Sequence, residues 1–270
     1  MLMENNGNFD ALLASAIALS GQGKARETEA ALRRMESDFA GKLLPEQEGR
    51  LRYALGRSLQ QQGKDEEAVG EFSRACACME PGGGAASALA LVALANAELA
   101  CGRREQSVRD GRRAAELLHA ALGKDDPRLA PSLFMLSFAE YESGNYHEAE
   151  ALVRSAMEIW KRQNGEESLQ VSTCLNDLGR ICEETDRIDE GIALHRACLA
   201  IREKILGTHP ETAFSLGNLG TALASAGRWE EAASVLERAL SCYAECGRID
   251  GEAVEGLRRN LAVCRSALNG

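Results

Sequence analysis

The sequence predicts an all-α protein made of repeated helical hairpins, and three observations predict it. A glycine-led phrase recurs at Gly63 (GKDEEA), Gly102 (GRREQS), Gly144 (GNYHEA) and Gly227 (GRWEEA), with Asp186 (DRIDEG) filling the slot once and Gly23 (GKARET) opening the series. The spacings between these six anchors are 40, 39, 42, 42 and 41 residues, a near-constant period of the kind stacked two-helix units produce. Composition agrees. Aromatic residues are 4% and prolines five in 270 residues, against 45% hydrophobic residues rich in alanine and leucine, which favours helix over strand and supplies a core.

Fixed offsets from each anchor define the hairpin. Eight residues before it stands leucine at Leu55, Leu94, Leu136, Leu178 and Leu219; seven before it the residue is small at Gly56, Ala95, Ser137, Gly179 and Gly220. Five after it come Ala68, Ser107, Ala149, Gly191 and Ala232, and twelve after it Ala75, Ala114, Ala156, Cys198 and Ala239. Small residues on two consecutive helices let their backbones approach closely across an antiparallel pair. The anchor ends the first helix in a left-handed backbone conformation, which glycine adopts freely and aspartate tolerates, so Asp186 fits the slot.

Taken in order, residues 1–8 read as an N-terminal tail, 9–251 as one continuous solenoid of about six hairpins, and 252–270 as a C-terminal capping helix. In the connectors LGKDDPRLA (Leu122 to Ala130) and LGTHPETA (Leu206 to Ala213), Asp126 and His209 are expected to cap the next helix, with Pro127 and Pro210 in its first turn. PGGGAA after Met79 and NGEESLQ after Gln163 are looser versions of the same connector. The last segment carries RRNLAVCRSAL, the first helix of a hairpin without its second; Arg258, Arg259 and Arg265 give it the polar face of a cap.

These features resemble the tetratricopeptide repeat, in the longer form found in kinesin light chains. The resemblance rests on the leucine-small pair before each anchor and on GNYHEA from Gly144 to Ala149. It rests also on CLNDLG from Cys174 to Gly179 and on AIREKILGTHPETA from Ala200 to Ala213. It implies a right-handed superhelix whose first helices line a concave groove for peptides. The long heptad segment through which light chains join a motor is not in this sequence, so the kinesin role does not follow.

The groove-facing positions are those opposite the packing leucines. They are Arg50, Tyr53, Arg57 and Gln60 in the second hairpin; Val92, Asn96 and Leu99 in the third; Phe134, Phe138 and Tyr141 in the fourth; Asn176, Arg180 and Glu183 in the fifth; and Phe214, Asn218 and Thr221 in the sixth. The middle is aromatic and the flanks carry arginine and asparagine. Asn176, Asn218 and Asn260 fall at or beside slots where light-chain-like repeats hold a ligand backbone, and an amide both donates and accepts. The competing reading of the aromatic stripe is packing between helices. Where adaptor members of the family clamp a terminal carboxylate with lysine, this sequence has none, although Arg50 and Arg57 remain available for an acidic motif.

Other chemistry finds little support. The net charge of −10 lacks the positive footprint of a nucleic-acid or anionic-membrane binder; the local exception is Arg103, Arg104, Arg109, Arg112 and Arg113, read as a solvated helix face. Nine cysteines, an odd count without a CxxC pair, read as reduced and mostly buried small side chains. Among four histidines, His147-Glu148 lacks a second histidine four residues on and His195 falls in a packing slot, so no metal or cofactor site is expected. The apolar run ALLASAIALSG follows Glu4 and Asp10 without a basic residue, the wrong flank for a signal peptide, and no run reaches the roughly 18 apolar residues of a span. The expectation is a cytoplasmic, non-enzymatic scaffold for a protein or peptide, monomeric or weakly self-associating, without nucleic-acid or membrane partners. The alternatives are a self-assembling structural module and a regulatory domain acting with a separate effector chain.

Overall fold

The computed structural model describes residues 2–79, 83–123 and 126–269, with side chains from Asn8 onward. Pro81 and Gly82 of the PGGGAA connector, and Lys124 and Asp125 of LGKDDPRLA, lie outside the described residues. Among the described residues there are thirteen α-helices and no strand. Helix packing groups them into two compact units, Met1–Ser143 and Gly144–Gly270, where the sequence reading has a single solenoid.

The first unit holds α1 (Leu2–Gly21), α2 (Ala25–Asp38), α3 (Pro45–Gln60), α4 (Asp65–Met79), α5 (Gly84–Ala100), α6 (Arg104–Leu122) and α7 (Leu129–Glu142). Each helix packs on the next, and α1, α3, α5 and α7 also meet one another in succession, so a layer of first helices forms beside a layer of second helices. The second unit holds α8 (Tyr146–Asn164), α9 (Leu169–Glu184), α10 (Ile188–Leu206), α11 (Pro210–Ser225), α12 (Trp229–Glu245) and α13 (Glu252–Asn269), again packed in sequence, with α11 also against α13. This is the stacking of an α-solenoid: each hairpin covers its apolar face with its neighbour.

The anchors do what the repeat requires. All six have positive φ, from 58° to 79°, and Asp186 at 58° is the one non-glycine residue with positive φ among the described residues. The residue after the anchor then donates its N–H to a carbonyl five positions back, as from Arg187 to Cys182 at 2.8 Å and from Arg228 to Leu223 at 2.9 Å, which satisfies the end of the first helix. Lys64 and Arg187, both in that position, also reach back one repeat to Glu29 and Glu150.

Close approach is visible at the small slots. A Cβ on Gly56 would sit 2.6 Å from the Phe72 ring, on Gly179 2.6 Å from the His195 ring, and on Gly220 2.7 Å from Leu236. Each glycine thus accommodates a large side chain sixteen residues later on the partner helix. Ala68, Ala75, Ala114, Ala149, Ala156, Cys198, Ala232 and Ala239 are all fully buried in their helix contacts. Cys174, Cys182, Cys198, Cys242 and Cys264 are buried, the other four cysteines are half-buried, and all nine are free thiols. Burial pushes the Cys174 thiol up to about 12 and that of Cys182 to about 11, so both stay protonated and act as small apolar side chains.

Two local expectations need correction. Residues 2–8 belong to helix α1, which runs from Leu2 to Gly21 through the Asn-Asn-Gly-Asn stretch that the sequence reads as a tail. Asp126 does not cap α7, which begins at Leu129; its carboxylate instead accepts from the Arg128 backbone and guanidinium at 2.8–2.9 Å. That hydrogen bonding from Arg128 lowers the Asp126 pKa to about 2. His209, by contrast, caps α11: its Nδ1 accepts from the Glu211 N–H at 3.2 Å, and Pro210 is the first helical residue. Ser168 caps α9 in the same way through the Val171 N–H.

Candidate functional site

The candidate site is the face that the first helices present in each unit. In the first unit Arg50 pairs with Asp10 at 2.8 Å, joining α3 to α1. Tyr53 is half-buried, its ring tilted against Phe72 at 5.8 Å, so it packs between α3 and α4. Arg57 is exposed. Asn96 and Val92 line a recess of about 10 Å³ with Gly111 and Leu136, room for about one water. On α7, Phe134 and Tyr141 are half-buried while Phe138 is 39% exposed. The aromatic stripe therefore divides: two rings contribute to packing and one faces outward.

The second unit carries a polar ladder across its first helices. Asn218 on α11 donates to the Asn176 Oδ1 on α9 at 2.8 Å, and Asn176 in turn donates to Asp177 at 3.2 Å. Asn176 is buried, so it fixes its neighbour and does not itself line open surface. Asp177 is half-buried, which raises its pKa, opposed by the Asn176 amide and by Arg180, whose guanidinium lies 4.0 Å away. One rung further, Asn260 on α13 donates to the Thr221 hydroxyl at 3.1 Å, which donates to the Gly217 carbonyl at 2.9 Å.

Above the ladder lies a recess of about 180 Å³ between α11, α12 and α13, lined by Phe214, Asn218, Thr221, Tyr243, Leu257 and Asn260. Two glycines shape it. Gly217 lets α13 come close, since a Cβ there would meet Leu257 at 2.8 Å, and Gly256 leaves its opposite wall without a side chain. Phe214 is 46% exposed beside two amides and a hydroxyl. The recess is smaller than a drug-sized site and suits a single apolar side chain flanked by peptide groups.

The structure thus brings together Phe214, Thr221, Asn218 and Asn260, places Asn176 behind them, and leaves Arg50, Tyr53, Arg57, Asn96, Phe134, Phe138 and Tyr141 on the separate face of the first unit. Sequence reasoning missed Tyr243, which reaches the recess from a second helix, and the glycines that open it. It also missed the buried polar groups beneath. Arg202, buried on α10, donates to Ser215 at 2.9 Å and to the Glu211 carbonyl at 3.2 Å, fastening α10 to α11. His195, fully buried, meets Glu183 Oε1 at 2.7 Å through Nε2, while its Nδ1 has no partner. Among the described residues no group of three or more histidine, cysteine or acidic side chains is placed to hold a metal ion, and no helix is long and apolar enough to cross a membrane.

Repeated hairpins stacked through small residues, with a first-helix face left open, define a helical-repeat protein. The tetratricopeptide repeat pattern matches residues 86–161, 136–190 and 181–245, more than half of the chain, and the chain belongs to that family. It is 25% identical over 168 residues to "Protein KINESIN LIGHT CHAIN-RELATED 2" of Arabidopsis thaliana; the match covers 62% of this chain and only about a quarter of the length of that relative. Among solved structures it is similar in fold to BtubC (BKLC) from P. vanneervenii, with a TM-score of 0.67 and 19% identity over 90% of this chain and 94% of that one. It is similar also to a Rap protein complexed with competence and sporulation factor, with a TM-score of 0.63 and 14% identity over 97% of this chain and 87% of that one. The resemblance to the kinesin-light-chain form of the repeat, carried by motifs such as GNYHEA and CLNDLG, agrees with the Arabidopsis relative and with BtubC (BKLC).

Proposed function

We propose that this chain is a non-enzymatic protein-interaction scaffold that takes a peptide or protein segment on the first-helix face. The observation that carries the reading is the recess of the second unit, where the exposed Phe214 ring stands beside the pre-positioned amides of Asn218 and Asn260. An extended segment entering there buries one apolar side chain against Phe214 and Leu257 and exchanges backbone hydrogen bonds with the amides. Relatives of the same fold support the reading, one of them solved with a bound factor. The exposed Phe138 and Arg57 of the first unit are the positions there on which a partner would bear.

Panning a displayed peptide library over the full chain tests this. Enriched peptides are expected to share one bulky apolar residue, and the double variant Phe214→Ala, Asn218→Ala is expected to lose at least about tenfold in affinity at a temperature where it remains folded, its melting midpoint lowered by the lost Asn218 bond but its transition still cooperative. Enriched peptides that bind the double variant as tightly as the parent would remove the recess from the account.

A second reading, self-assembly, is favoured by the apolar side chains exposed on the first and last helices: Leu12 and Ile17 on α1, Val263 and Leu268 on α13. Light scattering over a concentration series decides it, and a mass that stays monomeric at high concentration ends it.

A further inference from the structure

A groove of about 400 Å³ runs between the α10–α11 connector and α12 in the second unit. Thr212, Leu216 and Cys242 form its buried floor, and Thr208, Ser241 and Glu245 its exposed rim. It shares no lining residue with the recess. The preceding repeat fills the same place differently. There Glu167 and Lys204 hold the positions of Thr208 and Glu245 and form an ion pair between connector and second helix. The buried Val171 stands there for Thr212, and Ala200 for Ser241. In the groove the cation is gone and the acid has moved to the helix. Glu245 has no ion pair among the described residues; instead the Ser241 hydroxyl donates to its Oε1 at 3.1 Å and that of Thr208 to its Oε2 at 3.5 Å. Thr212, 3% exposed, adds a hydroxyl to the shape of a valine, and its Oγ1 has no partner. That orphaned group costs stability which valine would keep. Among the lining residues Arg238 is the cation, and it is committed to Glu203 at 2.7 Å.

We propose that this groove is a second binding site, separate from the recess, which takes a primary ammonium group on an alkyl stem, carried either by a lysine of a partner protein or by a free amine.

The chemistry of the lining selects that group. An ammonium carries three donors and no acceptor, and the groove offers the Glu245 carboxylate with the hydroxyl lone pairs of Thr208, Ser241 and Thr212. The head replaces the cation that Lys204 supplies one repeat earlier, and Thr212 gains the partner it lacks. The stem lies along Leu216 and Cys242, which are apolar and buried. A planar guanidinium pairs best with a carboxylate whose two oxygens are both open, and here each already accepts from a hydroxyl, so a point charge fits better. A resident metal ion is a poor match. Of the two carboxylates lining the groove, Glu203 is neutralised by Arg238, and one carboxylate among hydroxyls falls short of a metal's ligand set. The net charge of −10 draws cations to the surface in general, and the hydroxyl-held Glu245 gives one of them a fixed seat.

The test titrates the full chain, followed by its backbone amide resonances, with n-butylammonium, with lysine capped at both ends, and with norleucine capped in the same way. Both ammonium probes are expected to give saturating shifts at Thr208, Thr212, Ser241 and Glu245, with dissociation constants of about 1–10 mM, and norleucine none. Tighter binding of the capped lysine assigns the group to a protein partner, and tighter binding of butylammonium to a free amine. Glu245→Gln is expected to lose at least about tenfold in affinity. Thr208→Glu with Glu245→Lys rebuilds the ion pair of the preceding repeat; it is expected to abolish binding while the melting midpoint stays level or rises, which separates loss of the site from loss of the fold. Thr212→Val is expected to raise the midpoint of the unliganded chain and to weaken binding about threefold. The proposal is overturned if no shift saturates by about 50 mM, if Glu245→Gln binds as well as the parent, or if sodium at the same concentration gives the same shifts.

Discussion

The two units share a backbone rule but bury different chemistry. In the first unit the buried charged side chains are carboxylates: Glu71, Glu98 and Glu140. In the second, among the described residues, no carboxylate is buried, and the interior polar groups are Asn176, His195, Arg202 and four hydroxyls. Eight residues after the anchor the first unit has Glu71 and Asp110, where the second has Leu152, Leu194 and Val235. Eleven before it Arg52 replaces the leucine found at Leu91, Leu133, Leu175 and Leu216. What is common, the small slots, follows from helices lying close together. What differs follows from each unit satisfying its own buried polar groups from several helices at once.

The largest effect is expected where the first unit departs from the leucine pattern. Arg52 bonds Glu36 at 2.5 Å, Glu48 at 3.3 Å and Glu71 at 3.3 Å, which links α2, α3 and α4. Arg52→Ala leaves Glu71 buried with weaker compensation and is expected to cost about 2–4 kcal/mol. Restoring the apolar pattern with Arg52→Leu and Glu71→Leu together is expected to end within about 1 kcal/mol of the parent, or above it. Trp160 and Trp229 are the two tryptophans and both lie in the second unit, so fluorescence follows that unit while hydrogen exchange at α3 follows the first. A double variant as unstable as the single one would mean that the charges are not interchangeable with the leucines of the second unit.

The small slots are expected to behave alike in both units. Gly220→Leu meets Leu236, and Gly56→Leu meets Phe72, at distances no Cβ tolerates, and each is expected to cost about 1–3 kcal/mol in chemical denaturation. A neutral result at either position would show that its hairpin opens without loss, and would confine the close-packing rule to the other unit.

These slots are also why so much of the fold was legible. Leu55, Gly56, Ala68 and Ala75 recur at fixed offsets because every hairpin faces the same steric problem, and a period that repeats six times is readable without a structure. The site was legible only in part. Phe214, Asn218 and Asn260 share a helix face, and the sequence places them there; that they enclose a recess depends on Gly217, Gly256 and Tyr243, whose roles are tertiary and carry no period. Asn176 illustrates the limit: its register is right, yet its neighbours bury it. Arg52 did leave a trace, as a charge standing in a leucine slot, but its partners Glu36 and Glu71 lie 16 and 19 residues away on other helices and only the folded packing identifies them.

The ladder of the second unit is expected to be worth less than the ion network of the first. Asn218→Ala removes the donor to a buried Asn176 Oδ1 and is expected to destabilise by about 1–2 kcal/mol, read by tryptophan fluorescence in denaturant. A larger loss than that of Arg52→Ala would invert the comparison and make the amides, not the ion pairs, the principal polar fastening of this fold.

The smallest effect is expected at the one anchor that breaks the glycine rule. Asp186 holds φ at 58°, where its Cβ crowds the following carbonyl, and no ion pair or side-chain hydrogen bond of its carboxylate offsets that strain among the described residues. Asp186→Gly relieves the strain but adds freedom to the unfolded chain, so the net gain is expected to be at most about 1 kcal/mol. Asp186→Val places a β-branched side chain in the same conformation and is expected to lose more than glycine gains. The comparison sharpens here because Gly63 and Gly102 hold the equivalent turns of the first unit at 72° and 76° without strain, so Gly63→Asp should lose about what Asp186→Gly gains. If Asp186→Gly is instead destabilising, the aspartate makes a contribution to its turn that the left-handed backbone alone does not explain, and the two units differ in their turns as well as in their buried charges.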